Sequence, residues 1–319
     1  VYKNLEKEFL RLADYIHFSD DQLGTYSMYI ADLIVRCSIE IEALSKELYC
    51  TLGGNMTPTD DQGNPRDLYF DTDCLNLLEQ KWNLSKKQIA VSAINIYFSE
   101  ERNRTLTPLH KAYKRGTSGS KWKQAYQAVK HDRKKTLKKA SVENLLHALG
   151  ALYILNLYYT DERTDIGRVY LSDHDFDNRA GSELFSAHYC RATGLSMQPH
   201  MDDSYITPPL GDELDKAIFI IKYDDKSFKE MHKNCCLDHK ITTERFSKSQ
   251  DIKKFLEDNP EYIGKTINEI CMAAGGVGLL TRIICLQNTM NEKSSRIEAV
   301  LNKHNGIYPE LLPLEDDNK

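Results

Sequence analysis

The stretch "SVENLLHALGALYILNLYY", residues 141–159, sets the fold class. Leu145, Leu149, Leu152, Leu155 and Tyr159 recur three and four apart, which is the spacing of a helix deep in a core. Ser141 with Asn144 is a weak cap signature at its start. Glu143, Asn144, His147 and Asn156 interrupt the apolar run, so the segment reads as a buried helix rather than a membrane span. Residues 270–286 are likewise short and interrupted, by Arg282 and three glycines, and read as a second buried helix.

Working outward, "WKQAYQAVKHDRKK", residues 122–135, lies on a helix over about 121–138, with Ser120 placed as its cap. Before it comes a basic loop, "ERNRTLTPLHKAYKRGTSGS". Further back, Tyr26, Ile30, Leu33, Cys37, Ile41, Leu44 and Leu48 form a near-heptad stripe on a helix from Leu23 to Leu48. Ser19 or Asp20 is its candidate cap. Leu5, Phe9, Leu12, Ala13 and Ile16 mark a helix over 2–17. Residues 51–65 form a loop by their Gly, Pro, Asn and Asp content, and a helix follows around 71–82. "KKQIAVSAINIYF" alternates and is β-branched, so it is a short strand or an extended segment.

Composition changes near residue 160. The expectation is mainly α: a bundle at 1–160, an irregular insert with short strands at 161–215, and a helical region at 216–319 packing on the bundle. Within the last part, "KAIFIIKYDD" is a candidate strand. Helices are expected over 227–238, 242–257 and 260–303, the last broken near Gly275–Gly278.

The chain has 319 residues and 28% charged residues, which suits a folded globular protein with a sizeable core. Its net charge is −5, so the whole molecule is no generic polyanion binder. Residues 110–139, however, hold eleven Lys or Arg against the single acid Asp132, about +10. A basic segment in an acidic protein attracts a local polyanion, or is simply a solvated helix and loop. The eight cysteines form no CxxC pair and sit mostly in apolar runs, which reads as a reducing cytoplasm with free thiols.

Most motifs that carry chemistry fail on spacing. "AAGGVGLLTR" lacks GK[ST] and a leading strand, so helix packing or a kink explains its glycines better than a phosphate loop. "HKNCCLDH" offers His232, Cys235, Cys236 and His239 in no common zinc pattern, and His174 between Asp173 and Asp175 is weaker still. No metal and no cofactor are expected. There is no GxSxG, and the pairs Asp60–Asp61 and Asp202–Asp203 sit in turn-like sequence.

His131 remains. Cleavage of RNA by 2′-OH attack needs a proton acceptor, a proton donor and a cation for the phosphorane. "VKHDR" holds those types, with His131 as acid or base and Lys130 and Arg133 as cations. On an ideal helix Lys130 and Arg133 share a face, while His131 shares one with Gln127 and Lys134 or Lys135. Lys121, Lys123, Gln127, Lys134, Lys135 and Arg36 are the candidate nucleic-acid contacts. Arg36, on the long helix, or a second subunit would supply a missing partner. The competing reading is a partly buried, structurally bonded His131 with Lys130 and Arg133 in salt bridges.

Four pieces together resemble the HEPN superfamily, the all-α domains of toxin–antitoxin, abortive-infection and CRISPR systems. They are "YSMYIADLIVRCSIEIEALSKELY", the aromatic basic loop, "WKQAYQAVKHDR" and "SVENLLHALGALYILNLYY", all within residues 1–160. The resemblance implies a metal-independent endoribonuclease, often completed across a homodimer, whose site is an arginine, a polar residue and a following histidine. His131 matches the histidine and Gln127 the polar position. The arginine would fall on Tyr126, Ala125 or Gln124, and none is arginine. Lineages without the full motif serve as binding or dimerisation modules. The alternative is therefore a non-catalytic helical module that docks nucleic acid or an acidic protein. A protein partner would use the helical C-terminal region.

Overall fold

The computed structural model describes residues 1–168, 176–193, 195–197, 204–206, 211–291 and 295–308. His174 with its flanking aspartates, and Asp202–Asp203, lie outside the described residues. Helices dominate, so the chain is mainly α: α1 (Tyr2–Leu10), α2 (Met28–Thr51), α3 (Asn76–Trp82), α4 (Glu101–Arg104), α5 (Lys121–Thr136), α6 (Val142–Thr160), α7 (Gly211–Lys216), α8 (Asp225–Lys248), α9 (Gln250–Asp258), α10 (Ile267–Ile283) and α11 (Gln287–Asn291).

α6 is the axis of the core. Leu145, Leu149, Ile154 and Leu155 are fully buried, and α2 packs along it through Ile30, Leu33, Ile34, Cys37 and Ile41. α1 and α5 complete this group of helices. Both long helices begin at serines whose hydroxyls accept the amide three residues on: Ser27 from Ile30 at 3.1 Å and Ser141 from Asn144 at 3.3 Å. The start of α2 is thus Ser27, not the expected Ser19 or Asp20, because residues 20–22 form a separate 3₁₀ turn. Asp20 caps a distant segment instead. It accepts Asn103 Nδ2 at 2.7 Å and the Ser99 amide at 2.9 Å, and these bonds pull its carboxyl down to about 2.

Strands stitch the rest of the chain to these helices. Three form one antiparallel sheet in the order β4 (Thr105–Leu106), β2 (Ile89–Val91), β6 (Phe185–Ala187). β2 is the strand anticipated in "KKQIAVSAINIYF", and β3 (Ile96–Tyr97) pairs with β1 (Phe18–Ser19). A second sheet runs β5 (Thr164–Arg168), β11 (Arg296–Leu301), β10 (Phe219–Tyr223), β7 (Tyr189–Arg191). β8 (Leu195–Met197) and β9 (Ser204–Ile206) pair with each other. β6 and β7 are separated only by His188, so residues 185–191 join both sheets. Glu6 of α1 anchors residues 182–184: its carboxylate accepts the Glu183 amide at 3.1 Å, the Leu184 amide at 3.0 Å and the Ser182 hydroxyl.

The C-terminal region departs from the helical expectation. "RIEAVL" alternates buried residues with half-buried or exposed ones and forms β11, so no helix continues from 260 to 303. Its end is tied to α6, where Tyr158 donates to the Asn302 carbonyl at 2.7 Å. The expected breaks at 239–241 are absent, and α8 runs unbroken through 225–248. α10 is kinked at Gly276, whose φ of 64° suits glycine, so the "AAGGVG" glycines do mark a kink. α10 is only half buried. Ile270, Cys271, Leu279 and Ile283 face a small separate core, while Val277 is 63% exposed. No helix among the described residues is long and apolar enough to cross a membrane.

Candidate nucleic-acid interface

α5 carries the basic segment, and its burial pattern decides which cations are available. Trp122, Ala125, Tyr126 and Val129 recur at helical spacing and face the core. The opposite face exposes Lys121, Gln127, Lys130 and His131. The Trp122 indole donates to the Pro108 carbonyl at 2.9 Å and pins the basic loop against the helix start.

Lys123 belongs to the inner face, which corrects its assignment as a nucleic-acid contact. Its ammonium pairs with Asp71 at 3.0 Å and donates to the carbonyls of Ala112 at 2.7 Å and Lys114 at 2.8 Å. Burial lowers its pKa, and Asp71 opposes that. Asp71 also meets Arg115 at 3.4 Å, whose guanidinium lies 3.7 Å over the Tyr69 ring.

The helix does not run evenly through the candidate site. Asp132 has φ −147° and ψ 72°, a break inside α5. Its carboxylate then accepts the Lys135 amide at 3.3 Å, as a cap does, and pairs with Lys135 Nζ at 3.5 Å. The face expected to join His131 to Lys134 or Lys135 by ideal helical phase is therefore interrupted at Asp132. His131 itself is exposed, with no hydrogen bond or ion pair among the described residues. The bonded, partly buried histidine of the competing reading is not what the fold presents. Lys130 folds back over Tyr126, 5.4 Å from the ring and 3.4 Å from its hydroxyl. Arg133 is half-buried without an ion pair among the described residues, and Lys134 is exposed.

Arg36 does not reach toward α5. It makes a two-pronged pair with Glu8 of α1 at 2.7 and 2.9 Å. Of the positions where an arginine would precede His131, Tyr126 and Ala125 are buried and Gln124 donates to the Thr117 and Gly119 carbonyls.

The sequence reading passed over a cleft of about 480 Å³ at the start of α5. His110, Lys111, Lys114, Lys121, Ser120 and Asn144 are among its lining residues. Burial lowers the pKa of His147, which also lines it. The signal available in sequence was Ser120, a residue at a capping position inside a cationic stretch. Counting 1.5 Å per residue, His131 lies about 15 Å farther along α5.

Among the described residues, no three His, Cys, Asp or Glu side chains are gathered to hold a metal ion. His232 and Cys236 approach to 3.8 Å, while Cys235 faces Thr289. No family model, curated protein or solved structure matches this chain.

Proposed function

We propose that this is a HEPN-like RNA-acting protein of a defence or toxin system, a metal-independent endoribonuclease that engages RNA along the outer face of α5. The observation that carries the reading is His131: an exposed imidazole with no partner among the described residues, set between Lys130 and Arg133 on a helix rich in exposed lysines. An imidazole can serve as general base or general acid in such a step. In the reaction, the 2′-OH loses its proton to the base and its oxygen bonds to the adjacent phosphorus. The P–O5′ bond breaks and the 5′-oxygen takes a proton from an acid. The products are a 2′,3′-cyclic phosphate and a 5′-hydroxyl. One His131 serves as base and the homodimer partner's as acid, while Lys130 and Arg133 stabilise the phosphorane charge.

A second reading has its own support. Tyr126, Ala125 and Gln124 place no arginine ahead of His131, which favours an RNA-binding module without cleavage. RNA cleavage in EDTA separates the two, comparing the protein with His131→Ala after folding and oligomeric state are shown to match. Cleavage lost in the variant supports the nuclease. Cleavage retained by the variant removes His131 from the site. Binding without cleavage by the wild type favours the module.

A further inference from the structure

We propose that the cleft at the start of α5 is a binding site for a terminal phosphate, the phosphorylated end of an RNA strand, an inference that builds on the RNA-acting reading. Ser120, Lys121 and Trp122, at the start of α5, line the cleft, so the positive end of the helix segment that runs to the break at Asp132 lies beside it. The N-cap, Ser120, makes no side-chain cap bond. It is only 9% exposed, and its buried hydroxyl has no hydrogen-bond partner among the described residues. A buried hydroxyl at a helix start normally satisfies an amide of that helix, and leaving it unbonded is costly. Ser120 lines the cleft, so a phosphate oxygen bound there would give this hydroxyl a partner once it turns outward.

The remaining polar groups fit the same ligand. Lys111, Lys114 and Lys121 bring three cations, and Glu143, 3.6 Å from Lys121, is the one carboxylate on the lining. Asn144 Oδ1 is a second buried atom without a partner among the described residues, and its amide nitrogen is already committed to the Lys139 carbonyl at 2.9 Å. That oxygen accepts only, so it suits a hydroxyl donor on a sugar next to the phosphate. The loop is held closely: a side chain on Gly119 would stand 2.7 Å from the Lys114 carbonyl. A dianionic phosphate carried by a ribose matches this set of donors, cations and one acceptor.

The test is fluorescence anisotropy with three RNA oligomers of one sequence, ending in a 5′-phosphate, a 3′-phosphate or hydroxyls only. One phosphorylated oligomer is expected to bind about tenfold more tightly than the hydroxyl-ended one. Ser120→Ala removes no side-chain bond among the described residues, so it should erase most of that preference while leaving hydroxyl-ended binding unchanged. Equal binding of all three oligomers overturns the site, whatever becomes of the RNA reading. Failure of every oligomer to bind overturns the RNA reading. The site is then read with AMP and inorganic phosphate from amide NMR shifts at Gly119, Ser120 and Lys121, and their absence overturns it as well.

Discussion

Lys123 and Asp71 form an ion pair at 3.0 Å with both side chains less than a tenth exposed. A lysine in the most basic part of the sequence is thereby a structural strut, holding the 112–114 backbone and residue 71 to one helix. Removing one partner of a buried pair leaves an uncompensated charge. Lys123→Ala should cost about 3 kcal/mol of stability, measured by urea unfolding. Lys123→Ala with Asp71→Asn should recover part of that. A midpoint unmoved by the single change would show that Arg115 alone satisfies Asp71.

Gly150 lies inside α6, where alanine ordinarily stabilises a helix by about 1 kcal/mol. Here an added Cβ would stand 2.6 Å from Ile89 Cδ1 and 2.8 Å from the Pro108 ring. Ile89 can yield at its tip, but Pro108 is rigid and its carbonyl holds Trp122. Gly150→Ala should therefore lose about 1–2 kcal/mol through overpacking. A raised melting temperature would mean that the loop gives way.

Lys87 is fully buried, donating to the Asp215 carbonyl at 3.1 Å with His304 Nε2 at 3.3 Å. Burial pushes its pKa down to about 7, against the pull of Asp215. An unfolded lysine titrates near 10.4, so between about pH 7 and 10 the unfolded chain binds more protons and stability rises with pH. Below pH 7 both states are protonated and this dependence ends. His304 is lowered by burial and titrates below the window, and Cys190, raised by burial to about 11, above it. Relative to Lys87→Met, the wild type should gain up to about 1 kcal/mol per pH unit from pH 7 to 9. A constant difference in urea midpoints would show that the lysine stays charged in the fold.

RNA affinity should fall with salt, and the slope of log K against log salt should shrink by about 0.7 for each phosphate-contacting lysine removed. Lys130→Gln and Lys134→Gln are expected to show this. Arg36→Gln should not, because Glu8 already holds that guanidinium. Equal effects of all three would assign the RNA to a different surface.

The periodicity of "SVENLLHALGALYILNLYY" and of the Tyr26–Leu48 stripe was enough to determine the two central helices and the mainly α class. Apolar spacing is a local property that survives without knowing the partner. Where the strands pair was not legible: "RIEAVL" and "YCR" lie about 105 residues apart, and only the folded chain puts β10 between them. The candidate site divided in the same way. The sequence located the cationic segment and His131, because residue types are visible in one dimension. Burial decided their roles. Lys123 turned inward to Asp71, Arg36 was engaged by Glu8, Asp132 broke the helical phase, and Ser120 kept a hydroxyl with no partner among the described residues. Each depends on a group distant in sequence or on a single backbone torsion, and neither is written in the order of residues.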